Sequence, residues 1–148
     1  MSPVLQERRD GLLLSTDPGL IDHELVHGWI SGTYWATGRS AETMRRAIAG
    51  SEPVGVYREA DGRQLAFARV VTDGVVFAYL CDVFVDPECR GRGLGGWLVR
   101  VLRDDLARRG LKRFVLVTRD AHRVYAPLGF EPVDAGRWME CDLQAATG

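Results

Sequence analysis

The 148-residue chain, 46% hydrophobic, is long enough for one domain with its own core and too short for two ordinary ones. Its 19 Lys and Arg against 20 Asp and Glu leave a formal charge of -1, which offers no global attraction for nucleic acid or an anionic membrane, so recognition has to be read locally. Three cysteines without CxxC spacing argue against a disulfide scaffold or thiolate zinc site, and no apolar stretch reaches the ~20 residues that span a bilayer, so a cytoplasmic protein is expected.

Taken in chain order, Gly11 to Ser15 (GLLLS) reads as a strand, and Asp17 as the cap of a short helix with Pro18 in its first turn and Leu20, Ile21, Leu25 and Val26 on its apolar face. The segment Trp29 to Arg39, WISGTYWATGR, holds aromatic and small residues without a sustained period and reads as a loop. Ser40 caps the next helix, which stops near Gly50. From Val54 onward, Asp61-Gly62 and Asp73-Gly74 separate three runs rich in Val, Phe, Tyr and Leu, the pattern of three antiparallel strands.

After Pro87, Leu94, Leu98, Val101, Leu102 and Leu106 recur at helical spacing until Gly110. Phe114 to Val117 is expected as a strand parallel to the one that entered this helix. Asp120 is expected to cap a short helix carrying Tyr125, and Arg137 to Leu143 (RWMECDL) to form a final strand. The whole reads as a single mixed α/β domain over residues 1–148, with an approximate core at 10–143.

The stretch ECRGRGLGGWL, Glu88 to Leu98, sets four glycines and two arginines directly before the long helix. Gly91, Gly93 and Gly96 match G-x-G-x-x-G, but three strands precede them and no acid ends a strand about 20 residues later, as a dinucleotide site requires. The G-x-x-x-x-G-K-[ST] phosphate loop is absent too. What remains is an amide-lined concavity at a helix start, with Arg90 and Arg92 at its rim, suited to a pyrophosphate or serving merely to start the helix.

Arg90-Gly91-Arg92-Gly93-Leu94-Gly95 resembles the Arg/Gln-x-x-Gly-x-Gly/Ala signature of the GNAT superfamily of N-acetyltransferases, and Tyr125, Gly129 and Phe130 resemble its Tyr-x-x-x-Gly-Phe element. The resemblance covers most of residues 54 to 143. It implies a GNAT-type, mainly antiparallel central sheet flanked by helices, with two central strands splayed around acetyl-CoA. Backbone groups of Val83, Phe84 and Val85 would face pantetheine, and Arg90, Gly91, Arg92, Gly93, Leu94, Gly95 and Gly96 would surround the pyrophosphate. It further implies direct transfer of an acetyl group from acetyl-CoA to a primary amine, expected to be a small molecule, with a catalytically idle acyl-CoA binder as the alternative.

Within that frame Tyr125 is the candidate acid for the leaving thiolate, because its phenol can donate a proton that a phenylalanine lacks. Asp82, in YLCDVFV, is the acidic candidate near the cofactor turn, either accepting a proton through water or orienting the amine, with arginine pairing as its bland role. Cys81 stands beside it, and nothing in the sequence brings Cys81 and His122 together for a covalent route. His23, His27 and His122 lack partners at metal-ligand spacing, so no metal is expected. Trp29, Tyr34 and Trp35 are the candidate acceptor wall; otherwise these rings cap the sheet or pair two copies in a homodimer.

Overall fold

The computed structural model describes residues 3–146. Its centre is one six-stranded sheet in chain order: β1 (Gln6–Arg9), β2 (Leu12–Ser15), β3 (Glu52–Arg58), β4 (Gln64–Thr72), β5 (Phe77–Val85) and β6 (Arg113–Val115). Every neighbour pair is antiparallel except β5 and β6, whose right place for a parallel pairing follows from the long crossover between them. That crossover contains α3 (Leu94–Arg108). Two shorter helices, α1 (His23–Ile30) and α2 (Ala41–Ala49), connect β2 to β3.

Side-chain alternation divides the core between the two faces of the sheet. Val54, Val56, Ala66, Ala68 and Val70 pack with Trp97, Leu98, Val101 and Leu102 of α3, whereas Phe67 packs with Val26, Ile30, Met44 and Ile48 of α1 and α2. Adjacent strand residues point to opposite faces, so Ala66 and Ala68 can meet one helix layer while Phe67 meets the other. One layer is then held by α3 and the other by α1 and α2, amphipathic helices whose polar sides remain in water.

Local signals explain the helix starts. Asp17 caps only a 3-10 turn at Pro18–Leu20, and a second cap, Asp22, accepts from the Leu25 amide to begin α1, so the single helix expected here divides in two. The Ser40 hydroxyl accepts from the Thr43 amide at 3.1 Å and begins α2. Removing it with Ser40→Ala should cost ~1 kcal/mol and lower the thermal midpoint by a few degrees. An unchanged midpoint would show that packing of Met44 and Ile48 alone fixes the helix.

Four local expectations change. Trp29 belongs to α1 rather than to the following loop. Asp10-Gly11 is a third hairpin turn, with φ of 52° and 76°, joining the unread strand β1 to β2. Asp120 does not cap a helix: Ala121 occupies that place before α4 (His122–Tyr125), and the Thr118 hydroxyl accepts from the Ala121 amide. Residues 137–143 form no strand; 131–142 lack regular helix or strand, and α5 (Leu143–Ala146) follows. Alternating apolar residues become a strand only with a ladder partner, and β6 has just three paired residues, all with β5. Trp138 instead stands against the Arg113 guanidinium, 5.7 Å from its ring centre.

Candidate active site

The site begins where β5 and β6 part. Their parallel pairing runs from Phe77↔Arg113 to Tyr79↔Val115, while β5 continues to Val85. On the opposite side, β5 stays paired with β4 through Phe84↔Phe67 and Val85↔Ala66. The far half of β5 therefore presents unshared backbone groups to the gap, and Val83, Phe84 and Val85 occupy that half.

The chain then passes Asp86, which accepts from the Glu88 amide and pairs with Arg63, and enters the glycine turn. Gly91 and Gly93 take φ of 83° and 75°, the left-handed region that glycine adopts without a Cβ penalty. Gly93 is the N-cap of α3 and has no side-chain cap, so the first amides of the helix are not closed off by a hydroxyl or carboxylate of their own cap. A Cβ at Gly91 or Gly96 would meet nothing within 4 Å, which leaves open space beside these amides. Free amides, the positive end of a 15-residue helix and space for a large group together fit a pyrophosphate.

The arginines differ in their settings. Both are exposed, but Arg90 Nε donates to the Val85 carbonyl at 3.1 Å and its guanidinium lies over Phe84. Arg9, from β1, lies over the Trp97 ring at 5.3 Å, while Trp97 Nε1 donates to Glu7. A Cβ at Gly93 would stand 4.0 Å from Arg9 Nη2, so β1 brings a further cation to the turn. Nothing in the polar composition of the QERR segment signals this approach to α3, because it depends on the pairing of β1 with β2.

Between the parted strands lies a cavity of about 410 Å³, lined by residues that include Tyr34, Trp35, Cys81, Val83 and Tyr125. Gly129, with φ of 97°, turns the chain after α4 so that Phe130 packs against Tyr125, their ring centres 5.8 Å apart. Phe130 in turn packs on Phe114 of the segment bearing β6. Burial, with a smaller contribution from Tyr34, raises the Tyr125 pKa, keeping its phenol in the proton-donating form.

Asp82 is the most constrained acid in the cavity. It has φ of 54° where the β4–β5 register shifts, with two residues, Asp82 and Val83, standing opposite Ala68. Its Oδ2 accepts from Arg69 Nε at 2.7 Å and Arg39 Nη1 at 2.8 Å, and its Oδ1 accepts from Trp35 Nε1 at 2.9 Å. Burial alone would raise its pKa; Arg69, Trp35 and Arg39 more than offset this and hold it below the ordinary carboxylate value. The ionised network thus joins the loop after α1 to both β4 and β5.

The acceptor candidates separate. Tyr34 and Trp35 line the cavity and meet edge to face at 5.1 Å, and the Arg119 guanidinium lies 3.9 Å from the Tyr34 ring centre. Trp29 instead stacks on Phe84 at 5.2 Å and is absent from the cavity wall. Cys81 borders the cavity, but burial pushes its thiol pKa up and disfavors the nucleophilic thiolate. Among the described residues there is no cluster of three His, Cys, Asp or Glu suited to a metal.

A model of the Acetyltransferase (GNAT) family matches residues 23–130. The chain belongs to the GNAT acetyltransferase family. A crystal structure of a Xanthomonas campestris pv. campestris protein described as belonging to the GNAT family aligns with a TM-score of 0.83 and 41% identity, covering 92% of this chain and 96% of the other. A Gibberella zeae protein named as an acetyltransferase is 30% identical over 138 residues, spanning 79% of this chain and 77% of its own. Serotonin N-acetyltransferase 2, chloroplastic, of Oryza sativa subsp. japonica is 41% identical over 81 residues, which cover 53% of this chain and 40% of that protein.

In this GNAT-family chain the glycine turn before α3 and the short helix bearing Tyr125 were legible from local sequence, whereas the approach of Arg39 and Arg69 to the cavity was not. Those arginines lie 30 residues apart on a loop and a strand, and only the sheet register brings both to Asp82. Their signal in hindsight is the buried acid itself, since an ionised carboxylate inside a protein requires cationic or hydrogen-bonding partners.

Proposed function

We propose that the protein transfers the acetyl group of acetyl-CoA directly to a primary amine of a small molecule while both substrates are bound. The observation that carries this reading is the parting of β5 and β6: one continuation of β5 leads to the glycine turn, and the gap itself is lined by Val83 and Tyr125. Acetyl-CoA is assigned to that gap, with the Arg90 to Gly96 turn at its pyrophosphate and the Val83 to Val85 backbone along pantetheine. The serotonin N-acetyltransferase of rice supports an amine acceptor.

In the proposed reaction, the neutral amine nitrogen forms a bond to the thioester carbon and the carbon-sulfur bond breaks. Tyr125 gives its phenolic proton to the departing thiolate and is reprotonated by solvent. An unperturbed amine with pKa ~10.4 is mostly protonated at neutral pH, so its proton must leave before attack. Asp82 is assigned chiefly to orientation: all three donors fixed on its carboxylate stabilise the anion and make it a weak proton acceptor. Water in the open cavity then receives both the proton that the ammonium loses before attack and the one that the nitrogen sheds as the amide forms.

Initial rates with acetyl-CoA and an amine both varied test the ternary complex. Intersecting reciprocal lines are expected; parallel lines together with an acetylated protein would contradict direct transfer. Trp35 is assigned to the acceptor wall and also bonds Asp82. Trp35→Ala should therefore lower kcat/KM for the preferred amine by about fivefold or more, with acetyl-CoA affinity changed by less than about twofold. Unchanged amine selectivity in a folded variant would remove Trp35 from acceptor recognition.

A further inference from the structure

The charge arrangement in the cavity extends the acetyl-transfer reading, on which it rests, to the kind of amine that enters. The charged side chains on the wall are Arg39, Arg69, Asp82 and Asp120. Both guanidiniums converge on one oxygen of Asp82, whose side chain is only 2% exposed, and the other oxygen is taken by Trp35. Two cations thus share one sealed anion, leaving an excess positive charge at this end of the wall.

The guanidiniums also retain unused donors. Among the described residues, Arg69 bonds only through Nε, and Arg39 only through Nη1, which reaches Asp82 and the Met44 sulfur. The only side-chain polar atoms there that are sealed from solvent without a partner are His23 Nδ1 and Tyr57 Oη. The remaining guanidinium nitrogens are therefore not sealed from solvent, and both residues line the cavity, although the Arg69 side chain is just 13% exposed. Largely desolvated N–H donors in a fixed planar fork favour an anionic partner over a neutral one.

Asp120 lies elsewhere on the wall, in the segment that leads into the helix bearing Tyr125. The cavity consequently has a cationic end made by the α1–α2 loop and β4, while on the Tyr125 side Asp120 stands next to Arg119, whose guanidinium is set over the Tyr34 ring. We infer that the acceptor is a primary amine carrying a second, anionic group, which Arg69 and Arg39 receive while the amine faces the thioester. A carboxylate and a phosphate share the required chemistry.

CoA release and acetylated product should be measured for tyrosine against tyramine and for O-phosphoethanolamine against ethanolamine. The anionic member of at least one pair is expected to show kcat/KM about tenfold higher, a ratio of the size one charge-assisted hydrogen bond supports. Arg69→Gln should bring that ratio near unity without an equal loss of acetyl-CoA affinity, and Arg69→Lys should restore part of it. Preference for carboxylate or phosphate identifies the source of the anion.

Turnover of the neutral amines with no advantage for either anionic partner would overturn the inference while leaving acetyl transfer intact. If no amine reacts, the acetyl-transfer reading fails separately. The anion site is then read by calorimetry on CoA-loaded protein, using N-acetyltyrosine against N-acetyltyramine and O-phosphoethanolamine against ethanolamine. Tighter binding of an anionic member that is lost in Arg69→Gln supports the site; equal binding within each pair, or no binding, overturns it.

Discussion

Replacing Tyr125 with Phe is expected to lower kcat by about a hundredfold or more while leaving the acetyl-CoA dissociation constant within about twofold. The ring contacts with Phe130 survive this change, because they require the aromatic face and edge rather than the hydroxyl. What disappears is the donor proposed for the negative charge that develops on sulfur as the thioester breaks. Such an interaction strengthens in the transition state and therefore affects turnover more than ground-state binding. The buried environment that raises the Tyr125 pKa also keeps the phenol protonated at neutral pH. Rapid-quench measurements of acetylated amine, paired with calorimetry for acetyl-CoA, separate the two effects. Wild-type turnover in Tyr125→Phe would assign thiolate protonation to solvent.

Gly93→Val should weaken acetyl-CoA binding by about a hundredfold, through loss of the amide geometry at the start of α3. Gly93 holds φ of 75°, where a β-branched residue is strained, and it is the N-cap from which the helix amides emerge. Relief of that strain requires the turn to rotate away from its present path, moving the proposed phosphate donors with it. The core side of α3 is separately secured by Trp97, Leu98, Val101 and Leu102, so the helix has a packing basis independent of the turn. Circular dichroism should confirm retained helix before affinity is compared. Undiminished binding by the folded variant would move the pyrophosphate elsewhere.

The parts of the fold most legible in sequence are those governed by local periodicity. Leu94, Leu98, Val101, Leu102 and Leu106 mark one helix face, and all are buried against the sheet. The two expected Asp-Gly turns likewise separate β3, β4 and β5. By contrast, β1 is a run of four exposed residues, QERR, and exists through its pairing with β2 across Asp10-Gly11. Its polar composition hides that pairing. The segment 137–143 errs in the other direction: it has strand-like composition but no ladder partner among the described strands.

The site shows the same division between local and long-range information. A glycine turn can be recognised from consecutive residues, and Gly129 and Phe130 explain how the Tyr125 element folds back on itself. The Asp82 network depends instead on a bulge, a loop and an adjacent strand meeting at one carboxylate. Sequence identifies Asp82 as an acid near the turn, but its three donors emerge only in the folded sheet. Those donors favour a fixed anion over a mobile proton acceptor.

Acetyl transfer is read directly by following CoA thiol and acetylated amine in the same reaction with isotopically labelled acetyl-CoA. The expected result is amine-dependent release of one CoA for each labelled acetyl group found on the amine. Acetyl-CoA binding without amine-dependent thiol release across anionic and neutral amines would rule out acetyl transfer and favour an idle acyl-CoA-binding domain.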